Sequence, residues 1–499
     1  MDLKKEEASD VLDKINKTTS KEWTLIQEKQ NLALFHNAAS CVPAYKDFLK
    51  KNKIDPEKIQ TVKDFQNLPV MNKKNYIRQY PLKDLCWDGS INRPLVLTAT
   101  SGSTGEPSYF VRGGNLDWQY SVSIQRYLQN SSLTSNGPIL VIICFGMGIW
   151  IGGLITYKAY EMASNRENLP VSIITPGINK KEIFAALKRL SPQYKQTIMV
   201  GYAPFLKDIV DQSEQEGINL TKLNIRFMFA AETVTEEVRD YLYSNCGVNN
   251  IFKDFMNIYG SADIGAMAVE DSTSILIKRL IQDRREVFYD IFTPINKIPT
   301  LAQYNPLFIN FEAINSEILL TGDSAIPLIR YSIGDNGGVI TYDEMKSKLG
   351  EFGIDIIEEV QKNHLTNAFS EMPFVYIYER MDFSTTLYGL NIYPEWIKKA
   401  IITTELKHHL TGKFTLATRY DDDKNQFLEI NVELKKNITI TDTTKKKAVH
   451  ILIRHLQHAS SEYRELVDHL KDRAYPRIKF WQAEDPLYFQ PGIKQKWVK

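Results

Sequence analysis

From residue 95 onward the chain alternates between two textures. Short apolar, β-branched runs at 95–98, 139–145, 171–175, 197–200 and 225–230 are separated by amphipathic stretches at 181–190, 204–216 and 235–243. An apolar run with no polar alternation is buried on both faces, as in a parallel sheet, and the amphipathic stretches supply the crossover helices. The pattern confines the chain to an α/β fold with largely parallel sheets. Between 317 and 340 the texture changes to short strands with Gly and Asp turns. After about 379 a shorter α/β unit begins. It reads as a helix at 394–403, strands at 414–419 and 427–434, and one long helix from 443 to about 470. The first ninety residues are charged, helix-rich in pattern and punctuated by Pro56, Pro69 and Pro81. The expected organisation is a large N-terminal domain, 1–379, and a small C-terminal domain, 380–499; a chain of 499 residues can build more than one core.

The segment 138–157, PILVIICFGMGIWIGGLITY, has the length of a membrane span and no charge. Four glycines from Gly146 onward interrupt it, so it reads as strand, turn and helix instead. Lysine plus arginine number 61 against 60 acids, so no basic excess points to nucleic acid. The pair Lys73-Lys74 and the run Lys445–Lys447 read as solvated faces. Cys41, Cys86, Cys144 and Cys246 form no CxxC pair, which excludes a zinc ribbon and fits a reducing compartment. The charged start, MDLKKEEASD, has no apolar core; a cytoplasmic location is expected. His455 and His458 share one helix face, but no carboxylate constellation accompanies them, and they read as ordinary histidines.

Five stretches suit nucleotide chemistry. The first, TSGSTGEP at 100–107, can turn successive backbone N–H groups toward one anion, but it equally suits a Ser/Gly surface loop. It lacks the lysine of a Walker A loop, so a phosphate held there needs its cation from elsewhere. The others are IYGSADIG (258–265), IRYSIGDNGG (329–338), ERMD with GLNIYP (379–382 and 389–394), and the terminal PGIKQKWVK. Each has a plain alternative: a strand-to-turn junction, a hairpin turn, an interdomain loop and a basic tail.

Together, in this order, the five resemble the adenylate-forming superfamily, which activates carboxylates with ATP. More narrowly the chain is similar to the phenylacetate–CoA ligase branch, and within it to capsule-locus and coenzyme F390 synthetase-related proteins. That likeness is carried by VPAYKDFL (42–49), LPVMNKKNY (68–76), GMGIWIGG (146–153), ITPGINKKEI (174–183), FAAETVTEEVRDYL (229–242) and IPLIRYSIGD (326–335). The resemblance implies an ATP phosphate loop at Ser101, Gly102, Ser103, Thr104 and Gly105. It puts Glu232, Tyr259, Gly260 and Ser261 at the nucleotide, Asp335 on the ribose hydroxyls, and Arg380 near ribose and phosphates. Asp382 becomes the hinge of a mobile lid, Asp263 the Mg²⁺ carboxylate, and Lys494 the catalytic lysine at the α-phosphate.

This chain departs from the family pattern in several places. Ala262 and Asp263 stand where Thr and Glu are usual, Ile493 splits the terminal Gly-Lys pair so that Lys496 competes with Lys494, and Ser332 follows Tyr331 in place of a basic residue. The acid pocket is expected at Phe145, Met147, Trp150, Gly152, Ala230 and Ala231. Its apolar lining favours a hydrophobic or aromatic monoacid, although these aromatics equally suit a core. The implied reaction is acid–thiol ligation with ATP, Mg²⁺ and coenzyme A. Transfer to a carrier protein or amine, AMP transfer to a cofactor, and a non-catalytic scaffold are the alternatives. Homodimers are common in the branch.

Overall fold

The computed structural model describes residues 7–99, 109–133, 137–147, 151–292, 299–378, 385–401, 406, 408–436, 438–483 and 485–489. Three helices, Ala8–Lys17, Ser20–Cys41 and Pro43–Lys51, open the chain. A short antiparallel pair follows, β1 (Val96–Ala99) with β2 (Tyr109–Arg112).

An eleven-stranded sheet dominates the molecule. Its parallel half contains β3 (Ile139–Cys144), β4 (Val171–Ile174), β5 (Gln196–Gly201), β6 (Ile225–Ala230) and β7 (Phe255–Ser261), in the order β4-β3-β5-β6-β7. Every side chain of β3 and β5 is buried; β3 is uniformly apolar, as a strand covered on both faces requires, whereas β5 also buries Thr197 and Gln196, the latter accepting from Arg226 at 3.2 Å. The expected helices are present as Lys180–Arg189, Ala203–Ser213 and Glu236–Cys246. Their starts are set by chemistry in the sequence. Asn179 accepts from the Glu182 N–H, Pro204 fills a first-turn position, and Thr235 accepts from the Val238 N–H.

The second half is antiparallel and continues the same sheet: β8 (Gly265–Glu270), β9 (Thr300–Gln303), β10 (Ile309–Ile314), β11 (Glu317–Gly322), β12 (Leu328–Ile340) and β13 (Phe374–Tyr378), in the order β10-β11-β12-β13-β9-β8. The stretch 317–340, expected as short strands with Gly and Asp turns, is β11 and β12. The segment 138–157 becomes β3 and the start of the Ile151–Glu167 helix. No helix among the described residues is long and apolar enough to cross a membrane. All four cysteines are free.

Beyond residue 384 come a hairpin, β14 (Thr385–Leu387) with β15 (Leu390–Ile392), and a three-stranded sheet of β16 (Leu410–Tyr420), β17 (Gln426–Leu434) and β18 (Arg477–Trp481). The long helix expected over 443–470 is two helices, Asp442–Ala459 and Ser461–Leu470. Ser460 leaves helical geometry (φ −139°, ψ 121°), and its hydroxyl accepts from the Tyr463 N–H, so it caps the second helix where a continuous one was expected. Both pack their apolar faces onto β16 and β17 in a core that also reaches the Ala203–Ser213 helix.

Candidate active site

The turn between β7 and β8 carries Ala262 and Asp263. Gly260 is required there by close approach, since a Cβ at that position would lie 2.7 Å from the Gly265 carbonyl oxygen. The Ser261 hydroxyl accepts from the Asp263 N–H at 3.3 Å. The Asp263 carboxylate points inward and is 3 % exposed. One oxygen accepts from the Tyr331 hydroxyl at 2.8 Å; the other lies 3.1 Å from the Lys73 ammonium.

Lys73 is the site residue that sequence reasoning missed. Taken as part of a solvated pair, it instead pairs with the candidate metal carboxylate and stands 5.8 Å from the centre of the Phe110 ring. The cause is local. Met71 forms an isolated parallel bridge with Tyr331, accepting from the Ser332 N–H and donating to the Arg330 carbonyl. Asn72 and Asn75 then close a tight turn by capping one another's backbone. The bridge and turn deliver Lys73 to Asp263. The available signal was LPVMNKKNY itself, in which an Asn-bracketed turn follows an apolar run.

A second pair lies on the same two strands. The Tyr259 hydroxyl of β7 donates to Asp335 of β12 at 2.7 Å, holding the carboxylate expected at a ribose diol. Gly334 precedes it at φ +84°. Tyr331 and Asp335 thus both reach back to the β7 end, one to Asp263 and one through Tyr259.

Glu232 follows β6 directly after Ala231, which holds a left-handed φ of +71°. The Glu232 backbone carbonyl accepts from the Asn257 side chain at 3.2 Å. Its carboxylate accepts from the Gly389 N–H and from the Gln426 side-chain amide, the latter at 3.2 Å. The stretch is anchored from below: Lys278 donates to the Val234 carbonyl at 2.8 Å and pairs with Glu270 at 3.0 Å.

Of the expected acid-pocket residues, Phe145 is fully buried and packs edge-on against Tyr202, with ring centres 4.9 Å apart. Gly152 and Met147 adjoin it. A Cβ on Gly152 would touch the Phe145 ring at 3.8 Å, and one on Gly153 would meet the Met147 sulfur at 2.5 Å. Ala230 ends β6 opposite Ile258 of β7. A separate cavity of about 930 Å³, counting its open mouth, lies between the Gly114–Gln129 helix and β8 and shares no residue with this pocket. Ser101, Gly102, Ser103, Thr104, Gly105, Trp150, Arg380, Asp382, Lys494 and Lys496 lie outside the described residues.

Asp263 supplies a hard carboxylate of the type Mg²⁺ takes, since Mg²⁺ typically binds one or two carboxylates and completes its shell with phosphate oxygens and water. Both of its oxygens are engaged here, one by Tyr331 and one by Lys73, so Mg²⁺ there would take the oxygen that now faces Lys73.

No protein-family model matches the chain. It is 22% identical over 315 residues to the phenylacetate–coenzyme A ligase of Thermus thermophilus, a match covering 62% of this chain and 64% of that protein. The chain therefore matches less than two thirds of this relative's length. The structure is similar to that of 2-hydroxyisobutyryl-CoA ligase in complex with 2-hydroxyisobutyryl-AMP and CoA in the thioesterification state. The TM-score is 0.62 at 14% identity, over 97% of this chain and 91% of that one. Against an open conformation of that ligase the TM-score is 0.53 over 98% and 93%, and against its postadenylation state it is 0.53 over 98% and 90%. The narrower likeness to capsule-locus and coenzyme F390 synthetase-related proteins rests on the sequence alone. Motif order, sequence likeness and architecture agree: the chain has the fold of the adenylate-forming ligases.

Proposed function

We propose that the protein activates a carboxylic acid with ATP, giving acyl-AMP and pyrophosphate, and then passes the acyl group to a thiol, coenzyme A. The observation that carries this is the convergence of Lys73, Asp263 and Tyr331 beside the Tyr259–Asp335 pair, with Tyr259, Asp263, Tyr331 and Asp335 all in the 258–265 and 329–338 stretches that the sequence motifs assign to nucleotide. The likeness to an acyl-CoA ligase in sequence supports it.

In this reading residues 1–379 form the adenylation domain and 380–499 the mobile lid. Attack of a carboxylate at the α-phosphorus brings two anions together and leaves negative charge on pyrophosphate. Mg²⁺ at Asp263 would neutralise part of that charge by binding phosphate oxygens. Lys73 supplies a second cation from the large domain, whatever the lid's position. Tyr331 orients the Asp263 carboxylate through one oxygen and leaves the other, which Lys73 faces, for the metal. Asp335 accepts from the ribose hydroxyls, with Tyr259 fixing its rotamer. Ser101 to Gly105 hold the β- and γ-phosphates, and Lys494 reaches the α-phosphate when the lid closes. A hydrophobic or aromatic monoacid suits the Phe145–Met147 side of the site.

Pyrophosphate exchange with a panel of acids tests the reading. Acid-dependent exchange that Lys494→Ala abolishes is the expected result. Transfer of AMP to a non-acid acceptor, with no exchange for any acid, would replace ligation by nucleotidyl transfer. Absence of ATP binding by calorimetry would leave a non-catalytic scaffold.

A further inference from the structure

A polar cluster joins the two domains away from the reacting groups. Its centre is Asp208, on the Ala203–Ser213 helix, with a side chain only 2 % exposed. On the large-domain side, Lys180 approaches one carboxylate oxygen at 3.7 Å. Everything else comes from the chain beyond residue 384. Arg473 pairs with Asp208, and the Tyr388 hydroxyl donates to it at 3.3 Å. Arg473 also donates to the Tyr388 hydroxyl at 3.3 Å. The preceding residue on the same helix, Lys207, donates to Asn425 at 3.3 Å.

These contacts meet at the β14–β15 turn. The Tyr388 N–H donates to the Gln426 side chain at 2.7 Å, and the next N–H, that of Gly389, donates to Glu232. Gly389 has φ +79°, and a Cβ there would fall 2.2 Å from the Tyr202 ring. That ring packs on Phe145. The turn thus seats against Tyr202 in the same arrangement in which Asp208 holds Tyr388 and Arg473. An isolated carboxylate buried this deeply is costly; two cations and a hydroxyl, most of them from the other domain, offset that cost. Lifting the domain away strips Asp208 of Arg473 and Tyr388 together. The pairing therefore favours one domain arrangement over others by a discrete set of bonds, as a bistable interface needs.

We propose that Asp208, with Arg473 and Tyr388, is the docking point that holds the small domain in the arrangement for acyl transfer. These are positioning residues for the second half-reaction and are not needed for the first. The assignment of that arrangement rests on the proposed ligase reading, and the higher similarity to a ligase in its thioesterification state supports it.

The test uses the full-length protein with Asp208→Asn, Arg473→Gln and the double variant. Acid-dependent pyrophosphate exchange reads the first half-reaction, and thioester formation from acid, ATP and coenzyme A reads the complete sequence. The expected result is exchange within twofold of wild type in all three, thioester formation down tenfold or more, and a double variant no worse than the poorer single. Equal loss in both assays, or no loss in either, overturns the proposal, as does a double variant whose losses multiply. Hydrogen exchange of the peptide spanning 387–392 gives a readout independent of catalysis and should quicken in Asp208→Asn. If it does so while wild type shows no acid-dependent exchange, docking stands and the ligase reading falls. If it is unchanged, docking falls.

Discussion

At the scale of single residues, Lys73 and Asp263 form a half-exposed cation against a buried anion. The Lys73 side chain is 30 % exposed, so solvent screens its charge, whereas the carboxylate depends on it and on Tyr331 for compensation. Replacing a fixed cation at developing negative charge costs on the order of a hundredfold in rate. Lys73→Ala should lower acid-dependent pyrophosphate exchange by about that factor, and Lys73→Arg should recover part of it. A drop of less than threefold would remove Lys73 from the chemistry and leave it a partner of Asp263 alone.

Asp323 offers a pH-dependent test of stability at the same scale. Burial pushes its carboxyl up to about 6, outweighing hydrogen bonding from the Trp87 indole and the charge of Arg93. The folded value thus lies above the ordinary 3.8, so the native state holds the proton more tightly than the unfolded chain does. The ionised carboxylate is a cost that appears as pH rises from about 4 through 6 and is full above it. Asp323→Asn removes that cost while keeping an acceptor for Trp87. At pH 8 it should stabilise the protein by about 1–2 kcal/mol in thermal melts, with the advantage gone at pH 4.

At the scale of elements, a buried ionic network anchors Val234, two residues beyond Glu232. Arg239 on the Glu236–Cys246 helix pairs with Glu236 and with Glu270 of β8. Lys278 on the Ser272–Ile281 helix pairs with Glu270 and Glu236 and donates to the Val234 carbonyl. Arg239, Glu270 and Lys278 are almost wholly inaccessible, so removing one partner leaves an uncompensated charge. Although burial raises the Glu236 carboxyl, Arg239, Lys278 and Arg279 together hold it below its ordinary range. Glu270→Gln should destabilise the fold by about 3–5 kcal/mol in urea titration. A cost under 1 kcal/mol would show that water reaches the network and that Val234 is held by packing alone.

The elements also show where sequence reasoning stops. Strand β3 was legible because burial on both faces leaves an uninterrupted apolar run; β5 and β6 keep most of that signal although they bury Gln196, Thr197 and Arg226, and caps such as Asn179 and Thr235 mark where helices begin. The break at Ser460 was not legible. The apolar pattern runs through it in near-helical register, and a serine caps a helix only when the chain before it has already left helical geometry. Lys73 was missed for a related reason. Its contact with Asp263 depends on a single bridge between Met71 and Tyr331, 260 residues apart, and no periodicity encodes such a bridge.

At the scale of the whole molecule, nucleotide binding should report the site directly. A ligand that binds only the folded state stabilises it by RT ln(1 + [L]/Kd), about 2.7 kcal/mol at a hundredfold excess over Kd. ATP with Mg²⁺ should raise the melting temperature of wild type, and Asp335→Ala should abolish most of that shift while leaving the unliganded melt close to wild type. An equal shift in both proteins would separate Asp335 from the nucleotide.

The sequence by itself determined the α/β class, the order of the nucleotide motifs and the chemistry each could perform, because periodicity and turn composition are local properties. It posed the problem of a phosphate loop with no lysine and pointed to Lys494 for the answer. Only the tertiary structure decided that a cation also stands at Asp263, since that placement depends on two segments meeting across the antiparallel half of the sheet. It alone decided, too, that Asp208 faces Arg473 and Tyr388 from the chain beyond residue 384. A charge's partner is set by packing in three dimensions, and the same lysine that looks solvated in a row of letters becomes part of a site once a buried carboxylate is folded against it.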